Sequence, residues 1–300
     1  MKTVLFITPF APSDIGAAMK FTKRTIETLA ESFIVDLIYF RAEGEPYYEP
    51  KNKNIRLKEV LSVNRKDRLL SVSQKLWLYP IFSVRYRKAL VKKLRRLSTE
   101  ESYSLVFLDH SQSFIYGKYF PSLPKILMSH DVIYQRVSRT SGKMISIWCK
   151  LTEKYFLNQP NSYIYSFSTK DQALIKDSYG FDSYVTSGNI DELAIAVSPF
   201  KIADDFVFLG QWVRKDNYEG LVWFLDNVFP LVEGKYTFKI IGRGLPESVH
   251  NKIRNCKNIE YLGFVDNPYQ MITEARAVIS PFTSIRKAWK TRARSFFSRS

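Results

Sequence analysis

Cysteine is nearly absent from this chain of 300 residues: Cys149 and Cys256 stand alone, with neither metal-ligand nor redox spacing. Two such thiols fit a reducing compartment, and a cytoplasmic location is expected. No run of eighteen apolar residues occurs, which excludes an ordinary membrane-spanning helix. The apolar start, MKTVLFITPFAPSD, has no small-residue cleavage site and reads as a first buried strand rather than a signal peptide. No Asp-x-Asp motif occurs, and the Asp204-Asp205 pair opens a strand. Acidic residues are also short, 29 against 45 Lys and Arg, for a net charge of +16 that favours an anionic partner. No helix-turn-helix, zinc or RNA-binding signature accompanies that charge, so nucleic acid is not the expected partner.

What the chain does have is 45% apolar and 25% charged residues, enough to bury real cores. VLFITPF (4–10) is a continuous apolar run suited to a strand buried on both faces. A helix follows from about Ala17 to Glu31, with Ala18, Thr22, Ile26 and Leu29 on one face, and FIVDLIYF (33–40) is the second strand. IRLKEV (55–60), SLVFLD (104–109), KILMS (125–129) and YIYSFS (163–168) are further strands, with helical stretches between most of them, including about Met144 to Asn158. After a turn-rich connector the alternation resumes with DFVFLG (205–210), TFKIIG, NIEYLG and AVISPF. Asn217 is placed to cap a helix whose stripe is Leu221, Val222, Leu225, Val228 and Phe229, stopped by Pro230. This pattern predicts an α/β protein with two Rossmann-like, doubly wound parallel-sheet domains: residues 1–187, a connector over 188–204, and 205–282. Such sheets bind ligands beyond the carboxyl ends of their strands.

Charge is unevenly spread. Residues 285–300 hold six basic side chains and no acid, leaving +10 for the rest. RYRKALVKKLRRL (85–97) holds seven, with Tyr86, Leu90, Leu94 and Leu97 at helical spacing, just after WLYPIF (77–82). Two readings stand: a surface helix with its apolar face in the core, or contact of residues 77–97 with an anionic membrane surface.

FLGQWVRKDNYEGLVWFLDNVFPLV, KIIGRG, YLGFVDN and AVISPF, in that order, resemble the retaining glycosyltransferases of GT-B fold that build bacterial capsule, lipopolysaccharide and exopolysaccharide. The resemblance runs from Val4 to about Phe282 and implies an acceptor-side first domain and a nucleotide-sugar second domain. The implied substrates are a nucleotide-sugar donor and a glycan or polyprenyl-linked acceptor, without a bound metal or other cofactor, at the cytoplasmic face of the inner membrane. In TPFAPSDIGAAMKF, Gly16 would let the backbone approach the donor diphosphate, although the family's paired glycine is Ile15 here. LMSHDVIYQRVSR carries the family's His-Asp pair, His130 and Asp131. His130 is expected in the cleft as a hydrogen-bond partner of the sugar. Asp109 and His110, at another strand end, are expected to line the same cleft. Arg214 and Lys215 would neutralise the diphosphate leaving group. Gly242 and Gly244 would let the backbone turn close to the nucleotide, and Phe264 and Val265 would hold its base. Asp216-Asn217 replaces the family's Pro-Asn.

Beyond Pro281 the family pattern stops. No glutamate follows Glu274, and 283–300 reads as a basic tail. RARSFFSRS admits codons that, read one base later, spell ELEAFSRG, close to the family's LEAfs.G. The expectation is a one-base shift near codons 283–290 that truncates a longer transferase into a poor enzyme. The apolar strand faces near 237–241, 258–262 and 277–281 would then lack cover. Sequencing the gene decides it: if the shifted frame soon closes downstream, the idea fails. A non-catalytic nucleotide-fold module that binds a membrane or partner is the alternative.

Overall fold

A computed structural model describes residues 1–14, 16–186, 203–232 and 234–281. The chain divides into two compact units at residues 189 and 190. The first carries strands β1 (Thr3–Thr8), β2 (Ile34–Ala42), β3 (Ile55–Val63), β4 (Tyr103–Asp109), β5 (Lys125–Ser129), β6 (Ser162–Ser166) and β7 (Tyr184–Val185). Their order is β3-β2-β1-β4-β5-β6-β7, and every neighbouring pair is parallel. The continuous apolar run of β1 is explained by its place at the centre. Val4 and Phe6 enter one core with Ile26, Leu37 and Phe107, while Leu5 and Ile7 enter the other with Leu94, Leu108 and Phe114. Strand order reverses between β1 and β4, the switch point at which such sheets open a crevice.

The helices of this unit are α1 (Ala17–Ser32), α2 (Arg65–Ser73), α3 (Pro80–Ser83), α4 (Lys88–Glu100), a 3-10 turn (Phe114–Tyr119), α5 (Ile133–Thr140), α6 (Lys143–Leu157) and α7 (Thr169–Tyr179). Leu90, Val91, Leu94 and Leu97 of α4 are all buried, so the apolar stripe of the basic helix faces the core. Of the two readings of this helix, the stripe packed in the core is therefore the one observed, and the stripe itself is not available to a membrane. Arg85 is buried too, its Nε donating to the Pro9 carbonyl at 3.0 Å.

The second unit holds β8 (Asp205–Leu209), β9 (Thr237–Ile241), β10 (Ile259–Gly263) and β11 (Ala277–Val278), parallel and ordered β10-β9-β8-β11. Its helices are α8 (Lys215–Asn227), α9 (Phe229–Val232), α10 (Glu247–Ile253) and α11 (Tyr269–Glu274). Phe208, Leu221, Phe224, Phe238, Ile240 and Val249 form its core. The expected lack of cover does not hold for β9, where Phe238, Ile240 and Ile241 are buried; Val278 of β11 is exposed. Asn217 is not a cap. It lies inside the first turn of α8, and its side-chain amide donates back to the Gln211 carbonyl at 3.0 Å. Helix α8 ends at Asn227, just before Pro230 as the sequence predicts, and Pro230 then sits in the first turn of α9, where a missing N–H costs nothing. The connector over 188–204 falls largely, and the tail over 283–300 wholly, outside the described residues.

Gly242 closes β9 at φ 127°, a conformation that L side chains rarely adopt, and a Cβ there would fall 1.8 Å from the Gly210 carbonyl oxygen. Gly242→Ala is therefore expected to destabilise the second unit by about 3 kcal/mol or more. Denaturant unfolding followed by tryptophan fluorescence checks this, and an unchanged midpoint would contradict it.

Candidate functional site

The carboxyl ends of β1, β4 and β5 converge on one buried carboxylate. Asp109 closes β4 with no exposed surface. The Thr8 hydroxyl, ending β1, donates to its Oδ2 at 3.0 Å, and the Thr22 hydroxyl of α1 donates to the same oxygen at 2.6 Å. On the other oxygen, Oδ1, His130 Nε2 sits at 2.7 Å, one residue past β5. His110 follows Asp109 at φ 60°, and this turn lays its ring parallel to that of His130 with centroids 3.4 Å apart. Phe10 meets the His110 ring edge-on at 5.0 Å, and Phe21 and Phe167 meet His130 at 5.4 and 4.9 Å.

The electrostatics follow from these contacts. Burial is the largest single influence on Asp109 and would raise its pKa. The nearby His110, the hydrogen-bonded His130 and the Thr22 hydroxyl together overcome it and hold the carboxyl below its ordinary range. Burial pushes His110 down to about 4, against the pull of Asp109. An ionised Asp109 only accepts, so the proton of the 2.7 Å contact belongs to His130 Nε2, which fixes the ring's orientation. His110 Nε2 is buried without a hydrogen-bond partner, 3.7 Å from Asp109 Oδ2. The ligand atoms of Asp109, His110 and His130 lie within 4.8 Å of one another, a spacing within reach of one metal ion. The contacts made are instead those of a hydrogen-bonded carboxylate, with both Asp109 oxygens engaged by His130, Thr8 and Thr22.

Sequence neighbours did not become spatial partners. Asp131, paired with His130 on paper, is exposed, and only its backbone carbonyl is engaged, by the Ser129 hydroxyl at 3.2 Å. The carboxylate that grips His130 is Asp109, because β4 and β5 are adjacent strands. Gly16 caps α1 at φ 85°, and no side chain caps that helix, whose first-turn amides therefore have no competing acceptor from its own cap. Glu153, which sequence reasoning missed, is buried on α6. It accepts the Ile133 and Tyr134 amides at 2.8 Å each and the Tyr179 hydroxyl at 2.5 Å. It thus caps α5 from outside and holds the chain that follows His130.

In the second unit the strand ends are cationic. Trp212 ties the loop after β8 to the loop after β9: its amide donates to the Arg243 carbonyl at 2.9 Å and its indole to the Ile241 carbonyl at 3.0 Å. Between Gly242 and Gly244 stands Arg243, a residue not foreseen although KIIGRG displays it. Its guanidinium lies 3.9 Å from the centre of the Phe264 ring. Arg214 stands at the N-cap position of α8 without a side-chain capping bond and is exposed, and Lys215, also exposed, pairs with Glu219 at 3.7 Å. Val265 is half-buried beside the exposed Phe264.

Comparison with known proteins agrees with this architecture. Residues 203–291 match the family described as glycosyl transferases group 1. WaaG, a glycosyltransferase involved in lipopolysaccharide biosynthesis, superposes with a TM-score of 0.60 at 12% identity, over 93% of this chain and 75% of its own. Anabaena HepE, solved with UDP and glucose, gives 0.56 at 14% identity, over 93% and 74%. A putative UDP-N-acetylglucosamine 2-epimerase from Listeria monocytogenes gives 0.52 at 13%, again over 93% and 74%. No curated protein sequence matches the chain. The class is that of GT-B-fold proteins, two Rossmann-like parallel-sheet units in one chain. Within it, residues 203–291 are the segment that is similar to the glycosyl transferases group 1 family.

Both Asp109 and His110 bind protons less readily in the folded chain than in the unfolded one, so acid favours unfolding. From an ordinary 6.5 to about 4, His110 alone withdraws about 3 kcal/mol of stability as the pH falls through that window. His110→Asn, which tolerates the positive φ, is expected to flatten that part of the profile. Urea unfolding at a series of pH values checks it.

Proposed function

We propose that the chain is a glycosyltransferase that moves a sugar from a nucleotide-sugar donor to a glycan or lipid-linked acceptor of surface polysaccharide synthesis. The observation that carries the reading is the cationic, glycine-turned set of strand ends in the second unit, Arg214, Lys215 and Gly242-Arg243-Gly244, inside the family segment. Charge builds on the diphosphate as the glycosidic bond breaks, and fixed cations lower that barrier. Phe264 and Val265 would lie against the base, and Gly16 would admit a phosphate to the amides of α1. The Asp109–His130 pair would hydrogen-bond a sugar hydroxyl, with Asp109 setting the proton position on the imidazole. Front-face attack assisted by the leaving phosphate would retain the anomeric configuration, and no metal or other cofactor would be required.

Thermal-shift measurements across uridine, guanosine and adenosine diphosphate sugars test the donor site. At a donor concentration about a hundred times Kd, binding adds about 2.7 kcal/mol and raises the midpoint by several degrees. Arg243→Ala is expected to remove the rise without lowering the ligand-free midpoint. If no nucleotide sugar shifts the midpoint, the reading fails. Where transfer is measured, Asp109→Asn is expected to lower kcat about a hundredfold with donor binding unchanged. Donor epimerisation without an acceptor would replace the transferase reading with the chemistry named for the Listeria neighbour.

A further inference from the structure

Helix α6 is amphipathic in the wrong direction for a soluble surface. Its inward face carries Ser146, Cys149, Thr152, Glu153 and Phe156, three of them hydroxyl or carboxyl residues. Its outward face carries Met144, Ile147, Trp148, Leu151 and Tyr155, all exposed, with Met144 at 80% and Leu151 at 62%. These five recur at i, i+3, i+4, i+7 and i+11, one continuous stripe. The stripe does not end with the helix. The Trp148 indole donates to the Trp77 carbonyl at 2.8 Å, and the Trp77 ring meets Tyr155 at 5.1 Å. Trp77 and its neighbour Leu76 are themselves 57% and 70% exposed, and α2 just upstream exposes Leu69 and Leu70.

The charge around this apolar surface has one sign. Residues 65–79 and 143–157 contain seven Lys or Arg and two acids. Both acids are engaged inside the fold. Glu153 is buried under α5, and the Asp67 carboxylate closes the capping box of α2 and faces Arg87 at 3.8 Å. Arg65, Lys66, Arg68, Lys143 and Lys154 are exposed. An apolar face set with two tryptophans and a tyrosine and rimmed by long cationic side chains matches the layering of a lipid interface. Aromatic rings favour the headgroup level there, aliphatic stems extend the apolar area, and cations meet anionic headgroups.

We propose that the outward face of α6 with Leu76 and Trp77 is a docking surface for an anionic lipid bilayer, lying on the membrane without crossing it. No described helix is long and apolar enough to cross one. The surface is distinct from the buried stripe of α4 and makes no use of the candidate site.

The test is flotation of the full chain with vesicles of phosphatidylcholine alone and of an equal mixture of phosphatidylcholine and phosphatidylglycerol. Binding is expected to the mixture, to weaken with added salt, and to shift tryptophan emission to the blue. The variant Leu76→Ser/Trp77→Ser/Leu151→Ser, at exposed positions, is expected to keep its unfolding midpoint and to bind about tenfold more weakly or worse. Lys143→Gln/Lys154→Gln is expected to lose about tenfold or more on the mixed vesicles alone. Absence of vesicle binding, equal binding to both compositions, or unchanged binding by the apolar variant would overturn the proposal. A dimer in light scattering that the apolar variant dissociates would also overturn it, assigning the face to a second copy of the chain.

Discussion

A single buried carboxylate at the point where strand order reverses organises the first unit. Asp109 has no solvent, so its charge must be met by donors, and those donors come from three separate elements: Thr8 of β1, Thr22 of α1 and His130 beyond β5. Removing any of them leaves a buried anion short of a partner, which is far more costly than the bond itself is favourable. The same constraint that holds β1, α1 and β5 in register therefore also orients the imidazole. Structure and site rest on one set of hydrogen bonds.

The strands were largely legible. Runs such as VLFITPF and KILMS are apolar without alternation because both sheet faces are covered, and β5 coincides with the run from Lys125 to Ser129. Glycine and basic residues at strand ends marked the second unit's loops. The site was only partly legible. His130 and Asp109 are 21 residues apart, and only the pairing of β4 with β5 makes them neighbours. Adjacency along the chain favoured Asp131, which lies in the bend past the end of β5 and is exposed. Thr22 left a signal that was passed over, a hydroxyl in the core-facing stripe of α1.

Helix facing was the hardest property to read. Both α4 and α6 have helical periodicity, and a period alone does not say which stripe is turned inward. In α4 four aliphatic residues face the sheet and the lysines face out, the usual solution. In α6 the need to cap α5 brings Glu153 inward, and Thr152 turns with it to accept the Tyr79 amide at 3.0 Å. The aromatic and aliphatic residues are left on the outside. A polar requirement at one helix end thus set the orientation of another helix.

The clasp made by Trp212 across the ends of β8 and β9 has a consequence for recognition. With the Gly242 backbone in contact with Gly210, the loops after β8 and β9 are fixed against each other, and the exposed Arg243 guanidinium projects from that fixed backbone 3.9 Å from the centre of the Phe264 ring. An anion arriving there meets a backbone already arranged, so the entropy of ordering the loop is surrendered once, during folding, and not again at each encounter.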